Sequence, residues 1–151
     1  AESAQSLDTS PDLPRQPVIF SKPPTTVIGP DEPIRHNAAI TQQLDWEVEL
    51  AAIIGTTAKR VAREDALKHV FGYSLVIDMS ARDNRRSGQW IYSKGKDISA
   101  GITLEPGDII ATGTPAGVGA GRNPQEWVWP GDVIEAELQG IGRLRHAVIK
   151  V

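Results

Sequence analysis

Not one of the 151 residues is a cysteine, which removes disulfides, thiolate metal sites and a cysteine nucleophile from consideration. Any metal has to be held by oxygen or imidazole. No apolar run approaches the length of a membrane span, and Ala1 to Pro14 is polar rather than a charged tip followed by an apolar stretch. The expectation is a soluble, unsecreted, cytoplasmic chain with no membrane partner. A net charge of −3 with the two signs interspersed leaves no broad basic surface to track a phosphate backbone, so nucleic acid is not an expected partner. The glycine-rich run Thr112 to Gly119 lacks the Gly-Lys-Ser/Thr of a nucleotide-binding loop.

What the chain has is short β-branched runs punctuated by 14 glycines and 11 prolines, the pattern of a β-rich domain with tight turns. At 40% hydrophobic content it can bury one genuine core. Strands are expected over Val18-Ile19-Phe20, Thr25 to Ile28, Leu44 to Ile54, Phe71 to Met79, Ile109 to Thr112, Val133 to Leu138 and Leu144 to Val151. One short amphipathic helix is expected from Ala62 to Val70, with Ala62, Ala66, Leu67 and Val70 on its apolar side, acids early and bases late. The fold class is therefore β-rich α+β. Pro106-Gly107-Asp108 and Pro130-Gly131-Asp132 each precede an apolar strand, and Pro-Gly suits a type II turn whose second central residue needs positive φ.

The chemically informative segment is Leu44-Asp45-Trp46-Glu47-Val48-Glu49-Leu50. Residues two apart on a strand share a face, so Glu47 and Glu49 crowd their charges on one side while Trp46, Val48 and Leu50 take the other. That arrangement calls for a neutralising cation. Alternation in Gly72 to Ser80 puts Asp78 on the polar face of a second strand. Three such carboxylates leave the rest of an octahedral shell to water and substrate, which suits Mg2+ or Mn2+. Residue types alone leave open a second arrangement, with Glu47 and Glu49 solvated on an edge strand and Asp78 accepting a bond from a nearby turn. The three histidines are expected to be surface or core-edge residues: His36 in a loop, His69 closing the helix and His146 in the last strand.

Phe20-Ser21-Lys22-Pro23-Pro24, Asp45-Trp46-Glu47-Val48-Glu49-Leu50, Asp78-Met79-Ser80-Ala81-Arg82-Asp83, Gly95-Lys96, Pro106 to Gly119 and Gly140-Ile141-Gly142 together resemble the fumarylacetoacetate hydrolase family, in the family's order and over nearly the whole chain. The resemblance implies a mixed β-roll holding Mg2+ or Mn2+ through Glu47, Glu49 and Asp78. It implies a keto acid substrate of the acylpyruvate type, cleaved at a carbon–carbon bond through a metal-stabilised enolate. Isomerisation of a hydroxy-diene dioate, or decarboxylation of a keto acid such as oxaloacetate, uses the same chemistry and is the alternative. A non-catalytic metal- or ligand-binding module is the reading from a different class. By similarity Arg82 and Lys96 hold the substrate carboxylate or the developing enolate, Thr114 offers a hydroxyl to substrate, and Lys22 lines the entrance.

The resemblance also implies a homodimer, to which Trp127 and Trp129 would supply apolar contact. Family members that cleave carbon–carbon bonds carry a His-x-x-Glu segment on a lid. Here Glu2 matches its glutamate, the histidine would fall before residue 1, and residues 1–16 read as a lid remnant ahead of a catalytic domain over residues 17–151. Family residues are expected to be absent after about Asp97, which makes the β-roll incomplete, and Arg85 stands where members often carry glutamine.

Overall fold

The computed structural model describes residues 19–83 and 103–151. Glu2, Arg85, Lys96 and the lid remnant lie outside them. The described residues form a β-rich α+β fold of eight strands: β1 (Ile34–His36), β2 (Leu44–Asp45), β3 (Val48–Ile54), β4 (Val70–Ile77), β5 (Ser80–Ala81), β6 (Ile109–Ala111), β7 (Val133–Leu138) and β8 (Gly142–Lys150). One sheet has the order β1-β8-β7 and another the order β4-β3-β6, while β2 and β5 form a two-stranded ladder. Pairing is mixed. β1 runs parallel to β8, with Ile34 opposite Val148, and the remaining strand pairs are antiparallel.

The run Leu44 to Ile54 is interrupted at Trp46-Glu47, yet one register passes through the interruption. Leu44 lies opposite Ala81 in β2–β5, and Val48 lies opposite Ile77 in β3–β4. The same spacing puts Trp46 opposite Met79 and Glu47 opposite Asp78, whose amide donates to the Glu47 carbonyl at 2.7 Å. Directly opposed residues of an antiparallel pair share a face, so the register itself brings two acids together. On the reverse side Trp46 and Met79 pack onto the core formed by Ile34, Leu44, Val128 and Val148.

Both Pro-Gly-Asp segments form the expected turn. Gly107 and Gly131 take φ of 97° and 104°, and the amides of Asp108 and Asp132 each donate 3.0 Å back to the carbonyl of Glu105 or Trp129. Each aspartate then accepts the amide of the same first residue, at 2.8 and 2.7 Å, locking the turn from both sides.

Three local expectations are corrected. Ala62 to Val70 contains a 3-10 helix, Arg63–His69, in which no residue is buried and Leu67 is 73% exposed. Three residues per turn abolish the 3.6-period stripe, and the segment lies in the connection from β3 to β4, which the Gly55 amide closes on the His69 carbonyl at 2.8 Å. Thr25 to Ile28 is not a strand, because Pro24 starts a short 3-10 turn over Pro24–Thr26 and brings no N–H to a ladder. His36 belongs to β1 rather than a loop and is 1% exposed, beneath the edge of Trp129 at 5.2 Å between ring centroids.

Candidate metal centre

Glu47 precedes β3, Glu49 lies within it and Asp78 follows β4, so the paired strands carry all three carboxylates to one place. One oxygen from each lies within 4.8 Å of the others. Hard divalent cations bind carboxylate oxygens at about 2.0–2.6 Å, so ligands on opposite sides of an ion stand roughly 4–5 Å apart. The spacing fits such an ion. Glu49 and Asp78 are buried and Glu47 is half-buried, which makes the cluster costly without a counter-charge.

Two basic side chains meet the acids. Lys22 Nζ forms an ion pair with Asp78 and donates to the Met79 carbonyl at 3.1 Å. Its side chain is 44% exposed. Burial pushes the Lys22 ammonium below its ordinary pKa, while Glu47 and Glu49 pull it back up. Arg82 is buried and bridges two carboxylates: Nε donates to Asp45 at 2.8 Å and Nη2 pairs with Glu47 at 2.6 Å. Asp45, Glu47, Glu49 and Asp78 against Lys22 and Arg82 leave two negative charges, which one divalent cation cancels.

Burial raises the Glu49 pKa, and the Gly113 amide opposes that by donating to its carboxylate at 2.7 Å. The glycine-rich segment after β6 delivers this bond by running beside β3. Thr112 donates from its amide and its hydroxyl to the Leu50 carbonyl at 3.0 and 2.8 Å, and Thr114 Oγ1 donates to the Val48 carbonyl at 3.2 Å. Gly113 between them takes φ of 95°, the left-handed region that glycine enters without steric cost. The hydroxyl hydrogen of Thr114 thus points to β3, and its oxygen can still accept a bond.

The structure therefore gathers Glu47, Glu49, Asp78, Lys22 and Arg82 around one point and sets Thr114 on the adjoining backbone. Glu2 and Lys96 lie outside the described residues. The sequence reading gave no role to Asp45, which has 0% exposure and ties Arg82 to the backbone. The signal was present: the alternation that pairs Glu47 with Glu49 also puts Asp45 in phase with them. His36 and His146 are held by backbone carbonyls, of Thr41 at 3.0 Å and Glu32 at 2.8 Å, and His69 by Thr56.

The family profile described as "Fumarylacetoacetate (FAA) hydrolase C-terminal" matches residues 1–100 and 96–149. This chain belongs to the fumarylacetoacetate hydrolase family. An oxaloacetate tautomerase of Bacillus subtilis is 32% identical over 198 aligned positions that take in 97% of the chain and 66% of the relative. A mitochondrial oxaloacetate tautomerase of Xenopus laevis is 30% identical, over 95% of the chain and 61% of the relative. The chain thus spans less than two thirds of either relative's length. Among solved members of the fold, a fumarylacetoacetate hydrolase of psychrophilic Exiguobacterium antarcticum superposes with a TM-score of 0.79 at 34% identity, covering 90% of this chain and 67% of that one. A 2-hydroxyhepta-2,4-diene-1,7-dioate isomerase of Mycobacterium marinum gives 0.77 at 32% identity, covering 91% of this chain and 70% of that one. No helix among the described residues is long and apolar enough to cross a membrane.

Proposed function

We propose that the protein is a divalent-metal enzyme of the fumarylacetoacetate hydrolase family that moves a proton between the keto and enol forms of a 2-keto dicarboxylate of the oxaloacetate type. The observation that carries this reading is the convergence of Glu47, Glu49 and Asp78 within 4.8 Å, with a residual charge that a divalent cation matches. Carbon–carbon hydrolysis, the first expectation from the sequence, gives way to enolisation because two curated relatives aligned over nearly the whole chain are named oxaloacetate tautomerases. The isomerase among the fold's neighbours also rearranges an enol. Hydrolysis remains the second reading, favoured by the hydrolase of similar fold.

In this reading Glu47, Glu49 and Asp78 hold Mg2+ or Mn2+. When bound, the ion supplies a Lewis acid that polarises the keto oxygen and stabilises enolate charge. Lys22 is the more exposed of the two cations, which supports a role at the rim in receiving the substrate carboxylate. Arg82, buried between Asp45 and Glu47, keeps a metal ligand in place rather than meeting substrate. Gly113 N–H holds one oxygen of Glu49, leaving the other free to bind. Proton transfer to carbon needs a group poised near neutral pH. Glu2, which the family resemblance places on the lid, is the proposed carrier, Lys96 is proposed to hold the substrate carboxylate or the developing enolate, and the substrate-binding role of Thr114 is proposed with them.

The test is to follow the enol absorbance of oxaloacetate with chelator-stripped protein, then with Mg2+ or Mn2+ restored. Released carbon dioxide and pyruvate are measured in parallel, and an acylpyruvate is assayed for cleavage. The expected result is metal-dependent enol–keto interconversion without loss of carbon, abolished by Glu47→Gln. Acylpyruvate cleavage without interconversion would return the assignment to hydrolysis, and inactivity of the metal-loaded protein on all these substrates would refute the enzyme reading.

A further inference from the structure

Asp45 is a fully buried carboxylate whose four acceptor positions are all filled. Oδ1 accepts the amides of Trp46 at 2.9 Å and Gly119 at 2.8 Å, and Oδ2 accepts the Ala120 amide at 3.2 Å and Arg82 Nε at 2.8 Å. Three of these four donors are backbone groups, from the strand interruption and from the 3-10 turn Gly119–Gly121. The carboxylate is therefore anchored to main chain on two elements that lie far apart in sequence. Among the described residues its one side-chain partner is Arg82, whose guanidinium also pairs with Glu47 Oε1 through Nη2 at 2.6 Å.

We infer that Asp45 is a positioning residue for the metal centre: acting through Arg82, it fixes the rotamer and charge environment of the ligand Glu47. A planar guanidinium held at Nε cannot turn without breaking a charge-assisted bond, so the position of Nη2 is set by Asp45 rather than by Arg82's own flexible chain. Nη2 pairs with Glu47 Oε1, so the guanidinium fixes how this carboxylate is presented where an ion would be held. Groups that orient metal ligands in this way typically contribute about 10–100-fold to metal affinity. Asp45 also cancels the Arg82 charge, so the guanidinium can lie against a ligand carboxylate without opposing the incoming cation. This inference rests on the metal reading of Glu47, Glu49 and Asp78.

The experiment is isothermal titration of Mn2+ into the full chain, with urea unfolding of each metal-free variant. The parent and Glu47→Gln are compared with Asp45→Asn, Arg82→Lys and the double variant. Asn keeps the shape of Asp45 but turns an amide N–H2 toward a donor, and Lys keeps the charge of Arg82 but lacks the rigid planar fork that sets Nε on one carboxylate and Nη2 on the other. Each single change is expected to weaken Mn2+ binding about 10–100-fold in protein that remains folded. The double variant is expected to lose no more than the weaker single one, because the two residues act in one relay. A purely structural role would lower the urea midpoint and leave the Mn2+ dissociation constant within twofold of the parent, and that overturns the inference. Additive losses in the double variant also overturn it. If Asp45→Asn does not fold, Arg82→Lys decides alone, with parent-like affinity counting against the relay. A parent that binds no Mn2+ refutes the metal reading itself, whereas a parent that binds and variants that match it refute only the role of Asp45.

Discussion

Glu49 is the candidate ligand whose charge burial disfavours. Burial raises its pKa from the ordinary value near 4.5, and the Gly113 amide offsets only part of that cost. The folded state therefore holds this proton more tightly than the unfolded state does. For a carboxyl shifted upward, the folded chain carries a penalty at neutral pH that is relieved as pH falls through the raised pKa toward the unfolded value. Glu49→Gln removes the charge, while its amide oxygen still accepts from Gly113. In metal-free protein this variant is expected to be more stable than the parent at pH 7, with the advantage shrinking on acidification through the carboxylate range. Urea unfolding at a series of pH values in chelator checks this, and an advantage that is absent at pH 7 or grows toward low pH would contradict the electrostatic account. The same variant loses a ligand and should forfeit the stabilisation that Mn2+ gives the parent. Stability and metal binding thus pull on one residue in opposite directions.

At the scale of elements, two ladders and one loop share the work. The β3–β4 register sets Glu47 opposite Asp78, and the segment after β6 lays Gly113 against Glu49 and Gly119 against Asp45. Gly119 is where that loop comes closest to its neighbours. A Cβ there would lie 2.0 Å from the Glu126 carbonyl oxygen and 3.0 Å from Asp45 Oδ1. Since one contact is backbone and the other a fully bonded carboxylate, neither can yield cheaply, and Gly119→Ala is expected to destabilise the fold by about 1–3 kcal/mol. Gly72→Ala, whose Cβ would meet nothing within 4 Å, is the control for the same change in open space. Equal urea midpoints for the two variants would show that the loop relaxes freely. What the sequence made legible was local: the period-two placement of Glu47 and Glu49, the polar phase of Asp78, and the two Pro-Gly-Asp turns whose geometry glycine and proline impose unaided. What it hid was non-local. A three-residue strand such as Ile34–His36 carries too few positions for a period and exists because β8 pairs with it in parallel over a long separation. The bridge from Asp45 through Arg82 to Glu47 likewise depends on pairing between β2 and β5, which no spacing within either segment encodes. The 3-10 winding of Arg63–His69 buries none of its residues, so the apolar spacing of that segment met no core to pack against.

Across the whole molecule, the candidate ion site joins segments that the small core does not. Ile34, Leu44, Val128 and Val148, with Trp46, Met79 and Ile134 against them, tie β1, β2, β7 and β8 together on one side of the strand interruption. The acids lie in phase on the opposite side, where carboxylates so close together repel one another. An ion gripped by Glu47, Glu49 and Asp78 would turn that repulsion into a cross-link between the two strands. A ligand that binds only the folded state at 100 times its dissociation constant adds about 2.7 kcal/mol. For a chain of this size each kcal/mol moves the melting temperature by roughly 2–4 °C, so Mn2+ at that excess should raise it by about 5–10 °C. Glu47→Gln and Asp78→Asn should each remove most of that rise, whereas Glu135→Gln, in an exposed ion-pair cluster on β7, should leave it intact. Differential scanning calorimetry with and without Mn2+ reads the effect directly. Because the ion would clamp β3 to β4 in particular, hydrogen exchange should slow most at the Asp78 and Gly113 amides, which are bonded to Glu47 and Glu49. Protection spread evenly over β7 and β8 instead would place the ion elsewhere in the molecule.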